Sequence, residues 1–204
     1  MSARGRPRGF DREEALKRAM SVFWAKGYDG ASLTDLTSAM GINSPSLYAA
    51  FCSKEALFRE AVELYKRTQG TEIWTSLDDA PTARQAIEHF LRKTAISYTT
   101  PGMPPGCLIV LGALPESGTN AAACAELREE RADNVEQLRR RLERAQAEGE
   151  LPAGADCRAI AAFYATLQQG MSIQARDGAD RDRLMAIAEA GIAAWDGLAG
   201  SPSD

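Results

Sequence analysis

Apolar residues along this chain recur at intervals of three and four, the period of an amphipathic helix, and no alternating run is long enough to argue for a strand. A first helix is predicted from Asp11 to Lys26, ending in Phe23-Trp24-Ala25-Lys26-Gly27-Tyr28. Long helices are predicted near 53–77, 82–98, 107–114, 119–148, 156–175 and 181–199. The breaks between them are Asp78-Asp79-Ala80-Pro81, the run Thr100 to Gly106, Gly118, Gly149 to Gly154 and Asp177-Gly178. The expected fold class is all-α.

Between residues 32 and 58 the pattern is denser, and every boundary has its own chemistry. Ser32 is placed to cap a short helix, with Asp35 three residues on in capping-box position. Leu33, Leu36 and Met40 then follow helical spacing, and Gly41 supplies the freedom a helix needs to end in a sharp turn. Asn43 is a good N-cap for the next helix, and Pro45 is tolerated in its first turn. Ile42 and Leu47 can pack between the two helices, which predicts a helix-turn-helix. Its second helix would offer Ser44, Ser46, Tyr48 and Ala49 to a DNA groove. Ser32, Thr34, Asn43 and Pro45 join them as candidate DNA contacts, with capping as the competing role for the hydroxyls. No Arg, Lys, Asn or Gln lies between Ser44 and Phe51, so the strongest bidentate base contacts are missing and specificity must come from elsewhere.

Charge changes the picture of a chain whose net value is −4. Residues 1–70 hold 11 basic and 8 acidic side chains, while residues 71–204 hold 13 and 20, so the positive excess lies where DNA would lie. Arg4, Arg6 and Arg8 form a basic arm suited to a narrow minor groove, with a solubilising tail as the plainer reading. The expected organisation is an arm at 1–9, a DNA-binding domain at 10–53, a larger helical domain at 54–199 and a tail at 200–204.

In combination these motifs are specific. The arm, the first helix with its Phe23 to Tyr28 ending, Ser32-Leu33-Thr34-Asp35-Leu36, Met40-Gly41-Ile42-Asn43, Ser46-Leu47-Tyr48-Ala49-Ala50-Phe51 and Ser53-Lys54-Glu55-Ala56-Leu57-Phe58 resemble the N-terminal domain of the TetR family of transcriptional regulators. The resemblance implies a homodimeric repressor that leaves a palindromic double-stranded DNA operator when a small-molecule effector binds. It also implies that Lys54 and Tyr48 contact phosphate.

A ligand pocket follows from the resemblance alone, with candidates Trp74, Phe90, Thr94, Tyr98, Met103, Cys107, Leu111 and Phe163; plain core is the competing role. Gly106-Cys107-Leu108 resembles a branch of the family in which a cysteine can act as a sensor, and a predicted helix start at Cys107 would favour the thiolate. Two late stripes are candidates for the dimer interface: Ile160, Tyr164, Leu167 and Met171, then Leu184, Ile187, Gly191 and Trp195. Closure of the chain's own core is the alternative.

The remaining features are mostly exclusions. Four widely spaced cysteines without a Cys-x-x-Cys pair argue against a zinc site or disulfide framework, and no cofactor motif is present. His89 is the single histidine and has no catalytic motif around it, so an enzyme is not expected. No apolar run is long enough to span a membrane and no signal peptide is evident, which makes a cytoplasmic location the expectation. A helical small-molecule-binding protein or a scaffold for a protein partner, without DNA function, is the alternative of another class; the scaffold would explain the late stripes but not the punctuation of residues 32–58.

Overall fold

The computed structural model describes residues 10–114, 116 and 118–200. Arg4, Arg6, Arg8 and residues 201–204 lie outside them. Helices are the only regular elements among the described residues.

Helix α1 (Arg12–Gly30) starts on Asp11, whose carboxylate accepts from the N–H groups of Glu13 and Glu14. Its regular run stops where the chain predicts, because Gly27 is at φ +71°. Helices α2 (Leu33–Met40) and α3 (Ser44–Phe51) form the helix-turn-helix. Ser32 and Asp35 close a reciprocal capping box, Gly41 turns the chain in the left-handed region at φ +68°, and the Asn43 side chain accepts from the Ser46 N–H. Helix α4 (Lys54–Tyr65) packs along α1. Phe58 forms the centre of that contact, edge-on to Phe23 at 5.0 Å and to Tyr28 at 5.1 Å.

The single helix predicted at 53–77 is divided. After Tyr65 the chain makes a π-helical turn, Lys66–Gly70, before α5 (Thr71–Asp79). Side-chain competition for carbonyls accounts for the loosening. The Thr68 hydroxyl donates to Leu64 O at 2.8 Å, and that of Thr71 donates to Lys66 O and Arg67 O at 3.0 and 2.8 Å, with Gly70 adding freedom beside them.

Helices α6 (Ala83–Ser97), α8 (Ala121–Ala147), α9 (Cys157–Arg176) and α10 (Arg181–Ala193) build the rest of the core, with the short α7 (Leu108–Leu111) and α11 (Trp195–Ala199). The predicted 107–114 helix shrinks to one turn. Backbone tertiary contacts take over beyond it, where Gly112 O accepts from the Tyr28 N–H at 2.7 Å.

That bond is one of several that join the α6–α7 loop to the end of α1. Trp24 Nε1 donates to Gly106 O at 3.1 Å. Gly106 must be glycine here: at φ +80° an added Cβ would stand 2.7 Å from Ser172 O. Arg176 of α9 caps the exposed carbonyls of α1, donating to Trp24 O at 2.7 Å and Ala25 O at 2.9 Å, and reaches Pro105 O at 3.2 Å. Burial pulls its guanidinium pKa down from the usual arginine value. Replacing Arg176 with Ala is expected to cost about 1–3 kcal/mol in urea denaturation, the penalty for carbonyls left without partners. A change within the noise would mean that water replaces the guanidinium without loss.

Candidate functional site

The first candidate surface is the outer side of α2 and α3. Thr34, Ser44, Pro45 and Ala49 are exposed, Ser46 is half-buried, and Tyr48 leaves 45% of its surface open although Leu47 and Phe51 beside it are buried. Amphipathicity explains the division, since Leu47 and Phe51 hold α3 against the core while Tyr48 and Ala49 turn outward. Ser32 and Asn43 are exposed too, but their side-chain oxygens are occupied as N-caps, so their part at this face is to fix the two helix starts.

Cations near this face are mostly neutralised within the chain. Arg12 pairs with Glu60 at 2.7 Å, Lys17 with Glu13, Arg18 with Glu14, Lys26 with Asp35 and Arg59 with Glu55. Lys26 holds the Asp35 carboxyl down at about 2, helped by Ser32. The sign follows: the contribution of that capping box is complete above the ordinary aspartate value of 3.8 and is lost as pH falls towards 2.

Among the described basic residues of α1 to α4, Lys54 is the one outside an ion pair. Its ammonium sits 4.4 Å over the Tyr28 ring at the first turn of α4, and burial lowers its pKa from the usual lysine value. A cation held by a ring keeps its charge available to a phosphate. Lys54→Ala is expected to weaken DNA binding about equally on all sequences and to reduce the slope of log K against log salt by about 1 per contacting lysine. Filter binding at several salt concentrations reads both quantities, and an unchanged slope removes Lys54 from the contact.

The second candidate is a cavity of about 290 Å³. Its floor comes from Tyr65, the π-helical turn and α5; Tyr98 and Cys107 close one side, and α8 supplies Glu130, Asp133, Asn134 and Gln137, with Gln168 of α9 completing it. Three predicted residues, Trp74, Tyr98 and Cys107, line it. Tyr98 is fully buried and its hydroxyl has no hydrogen-bond partner, an unusual state for an interior phenol. Burial pushes the Tyr65 and Tyr98 pKa values well above the usual tyrosine range, with Cys107 adding to the rise. Lys66, in the π-helical turn, is tied to Glu130 at 2.7 Å, so charge joins that turn to α8 at the cavity's edge.

Five of the predicted lining residues fall elsewhere. Phe90 is buried behind Trp74, with ring centroids 5.2 Å apart, and Thr94 is fully buried on α6. Met103 is half-buried in the α6–α7 loop, Leu111 packs towards Gly106, and Phe163 is 39% exposed on α9. The side chains that line the cavity and were missed are chiefly the polar ones of α8, which read in the sequence as a solvated helix face. Cys107 is buried and its N–H donates to Ser172 Oγ at 2.8 Å, but the one-turn α7 is too short to provide the dipole invoked for its thiolate. Cys52 is exposed at φ +63° between α3 and α4, where the Ser53 N–H reaches Phe51 O at 2.7 Å across a tight γ-turn.

The third candidate is an apolar groove on α9 and α10, where the stripes were expected to meet a partner. Most of both stripes turn inward instead. Ile160, Tyr164, Met171, Leu184 and Trp195 are buried within the chain, and the Tyr164 hydroxyl donates to Gly191 O at 3.2 Å. Gly191 itself is packed against Leu167 and Leu91. Leu167, Met171 and Ile187 of the two stripes line the groove together with Ala159, Ala162, Phe163, Thr166 and Gly170. Ile173 lies further along α9 with 45% of its surface open.

A helix-turn-helix with an exposed second helix, joined to a helical body that encloses a cavity, defines a DNA-binding regulatory protein. Comparison with known proteins gives the family. The model for bacterial regulatory proteins of the tetR family matches residues 15–61, and the tetracyclin repressor-like C-terminal domain matches residues 83–191. The chain is 34% identical to the HTH-type transcriptional repressor ComR of Escherichia coli (strain K12), covering 95% of this chain and 92% of that protein. It is 31% identical to the repressor BdcR of the same strain over 90% of this chain and 88% of the relative. Among solved structures it is similar to a triple cysteine mutant of the TetR family regulator CifR complexed with 26 bp double-strand operator DNA, at 46% identity and a TM-score of 0.90, covering 94% of this chain and 100% of that one. The chain belongs to the TetR family and is a DNA-binding transcriptional regulator, not an enzyme.

Proposed function

We propose that this chain is a homodimeric repressor that places two α3 helices in successive major grooves of a palindromic operator and is released by a small molecule held in the Tyr98 cavity. The observation that carries the DNA half is the exposed Thr34, Ser44, Tyr48 and Ala49 surface on a rigidly capped helix pair. Similarity to ComR and BdcR supports the repressor reading, and the CifR complex supports double-stranded operator DNA as the partner.

The groove around Phe163 supports the dimer, because a soluble protein rarely leaves a contiguous apolar surface uncovered. Trp24, Tyr28 and Arg176 support the coupling: the α6–α7 loop that carries Cys107 also holds the end of α1. An effector that moves this loop or the π-helical turn would change the separation of the reading heads. It acts only through different affinities for the two arrangements, with about 1–3 kcal/mol of coupling being typical.

We place the arm at 1–9, the DNA-binding domain at 10–53, the effector and dimerisation domain at 54–199 and the tail at 200–204, with α4 as the element shared between the two domains. Among the described residues no helix is long and apolar enough to cross a membrane, which supports the cytoplasmic location such a function requires.

Selection from a random duplex pool tests the reading. Enrichment of a palindrome with half-sites about one helical turn apart, or a multiple of it, is expected. Enrichment of nothing at low salt overturns it. A second reading, thiol sensing, is favoured by Cys107 lining the cavity between two phenols. Peroxide or an alkylating electrophile would then abolish DNA binding in the wild type and spare Cys107→Ser, whereas equal loss in both removes that reading and leaves Cys52 to be tested.

A further inference from the structure

One face of α8 is electrically graded. Towards the C-terminal end of the helix it presents Glu130 and Asp133, then Asn134 and Gln137, then Arg140, Arg141 and Arg144. A second cavity of about 400 Å³ opens at the basic end, between these arginines and Trp74, Leu77 and Asp78 of α5. Trp74 and Gln137 line both cavities, so the two adjoin.

Arg141 is the unusual member. Its side chain is 2% exposed, a depth at which a guanidinium is ordinarily kept only with its donors paired. Nε donates to Leu77 O at 2.9 Å and one Nη2 hydrogen reaches Ala80 O at 3.4 Å, but Nη1 has no partner. Glu150 stands 3.9 Å away and commits its other oxygen to the Ala83 N–H at 2.6 Å. Among the described residues Arg144 has only a long bond to Asp78 O at 3.5 Å, and Arg140 forms no ion pair. Capping of the α5 C-terminus accounts for Nε and Nη2 of Arg141. It leaves Nη1 and the two neighbouring arginines unexplained. Among the described residues Asp78 is the only carboxylate on the wall against three guanidiniums; burial, then Arg144, pulls the Arg141 pKa below the usual arginine value, with Glu150, Glu148 and Asp78 opposing the fall.

We propose that this cavity is an oxyanion subsite, in which the carboxylate or phosphate of a small amphiphile sits on Arg140, Arg141 and Arg144 while its apolar body lies past Trp74 in the adjoining cavity. Guanidinium forks match planar and tetrahedral oxyanions. Asp133 sets the orientation, since it disfavours negative charge at the far end, where Glu130 is already paired with Lys66. From Asp133 to Arg141 the helix rises about 12 Å, the length of a medium-chain acid. Only the placement of the body rests on the effector reading above.

Octanoate, inorganic phosphate and 1-octanol, titrated into the full chain without DNA by calorimetry, test the proposal. Octanoate is expected to bind at least about tenfold more tightly than 1-octanol, and Arg140→Gln with Arg144→Gln to remove that advantage while leaving 1-octanol unchanged. Arg141→Gln is made separately, because it also frees the Leu77 and Ala80 carbonyls and can fail to fold; the double variant does not carry that risk. Saturable phosphate binding lost in the double variant supports the subsite and assigns its oxyanion to phosphate. Absence of binding tighter than about 1 mM for both anions, or equal anion binding by wild type and double variant, overturns it. Octanoate binding that leaves operator affinity unchanged keeps the subsite and overturns the effector reading instead.

Discussion

Phe163→Glu combined with Ile173→Glu is expected to yield a folded monomer whose operator affinity falls by about three orders of magnitude or more. Both side chains are exposed on α9, 39% and 45%, so the substitutions cost the isolated chain little. In a dimer they would place two carboxylates, and their symmetry copies, against an apolar groove lined by Ala159, Ala162, Leu167 and Ile187. Buried charge without a partner is among the most costly changes an interface can suffer. Loss of the dimer converts one bivalent contact into two independent ones, and effective concentrations of linked sites are commonly in the millimolar range, which sets the scale of the affinity loss. Light scattering after size exclusion reads the mass, and circular dichroism checks the fold. A doubly substituted chain that remains a dimer would show that this groove is not the interface.

Phe58→Ala is expected to have the largest effect on stability of any single truncation in the DNA-binding half, about 3–5 kcal/mol. Phe58 is fully buried and edge-on to both Phe23 and Tyr28, so its removal leaves a cavity between α1 and α4 that rigid helices cannot close. In a chain of 204 residues that corresponds to a fall in melting temperature of roughly 10 °C. DNA affinity should fall as well, because Tyr28 also supports Lys54 from beneath. Calorimetry that finds less than about 1 kcal/mol lost would mean that the two helices repack, and that α3 is held mainly by its own caps.

Local chemistry made the N-terminal half readable in the sequence. Ser32, Asp35, Gly41, Asn43 and Pro45 each act on the backbone within four residues of themselves, so their positions in the chain suffice to place α2 and α3. The helix-dense body was also legible in outline, as was the inward position of Tyr98. What could not be read was rotation about a helix axis. In α9 both Ile160-Tyr164-Leu167-Met171 and Ala159-Phe163-Thr166-Gly170 follow helical spacing, and Ala-rich stretches give little contrast between inward and outward faces. Most of the stronger apolar stripe closes the chain's own core, and Phe163, read as a pocket residue, lies on the outward face. The cavity wall was hidden for the opposite reason. Glu130, Asp133, Asn134 and Gln137 look like an ordinary solvated face until the π-helical turn and α5 are seen lining the same cavity. The π-helical turn had a signal in Thr68, Gly70 and Thr71, but hydroxyl back-bonding is tolerated within regular helices and does not by itself mark a break.

The paired reading of a palindrome is tested most directly by the mass and affinity of the DNA complex. With the selected palindrome, light scattering should give two protomers per duplex, and an isolated half-site of equal length should bind at least about a hundredfold more weakly. One protomer binding a single half-site as tightly as the full palindrome would contradict it.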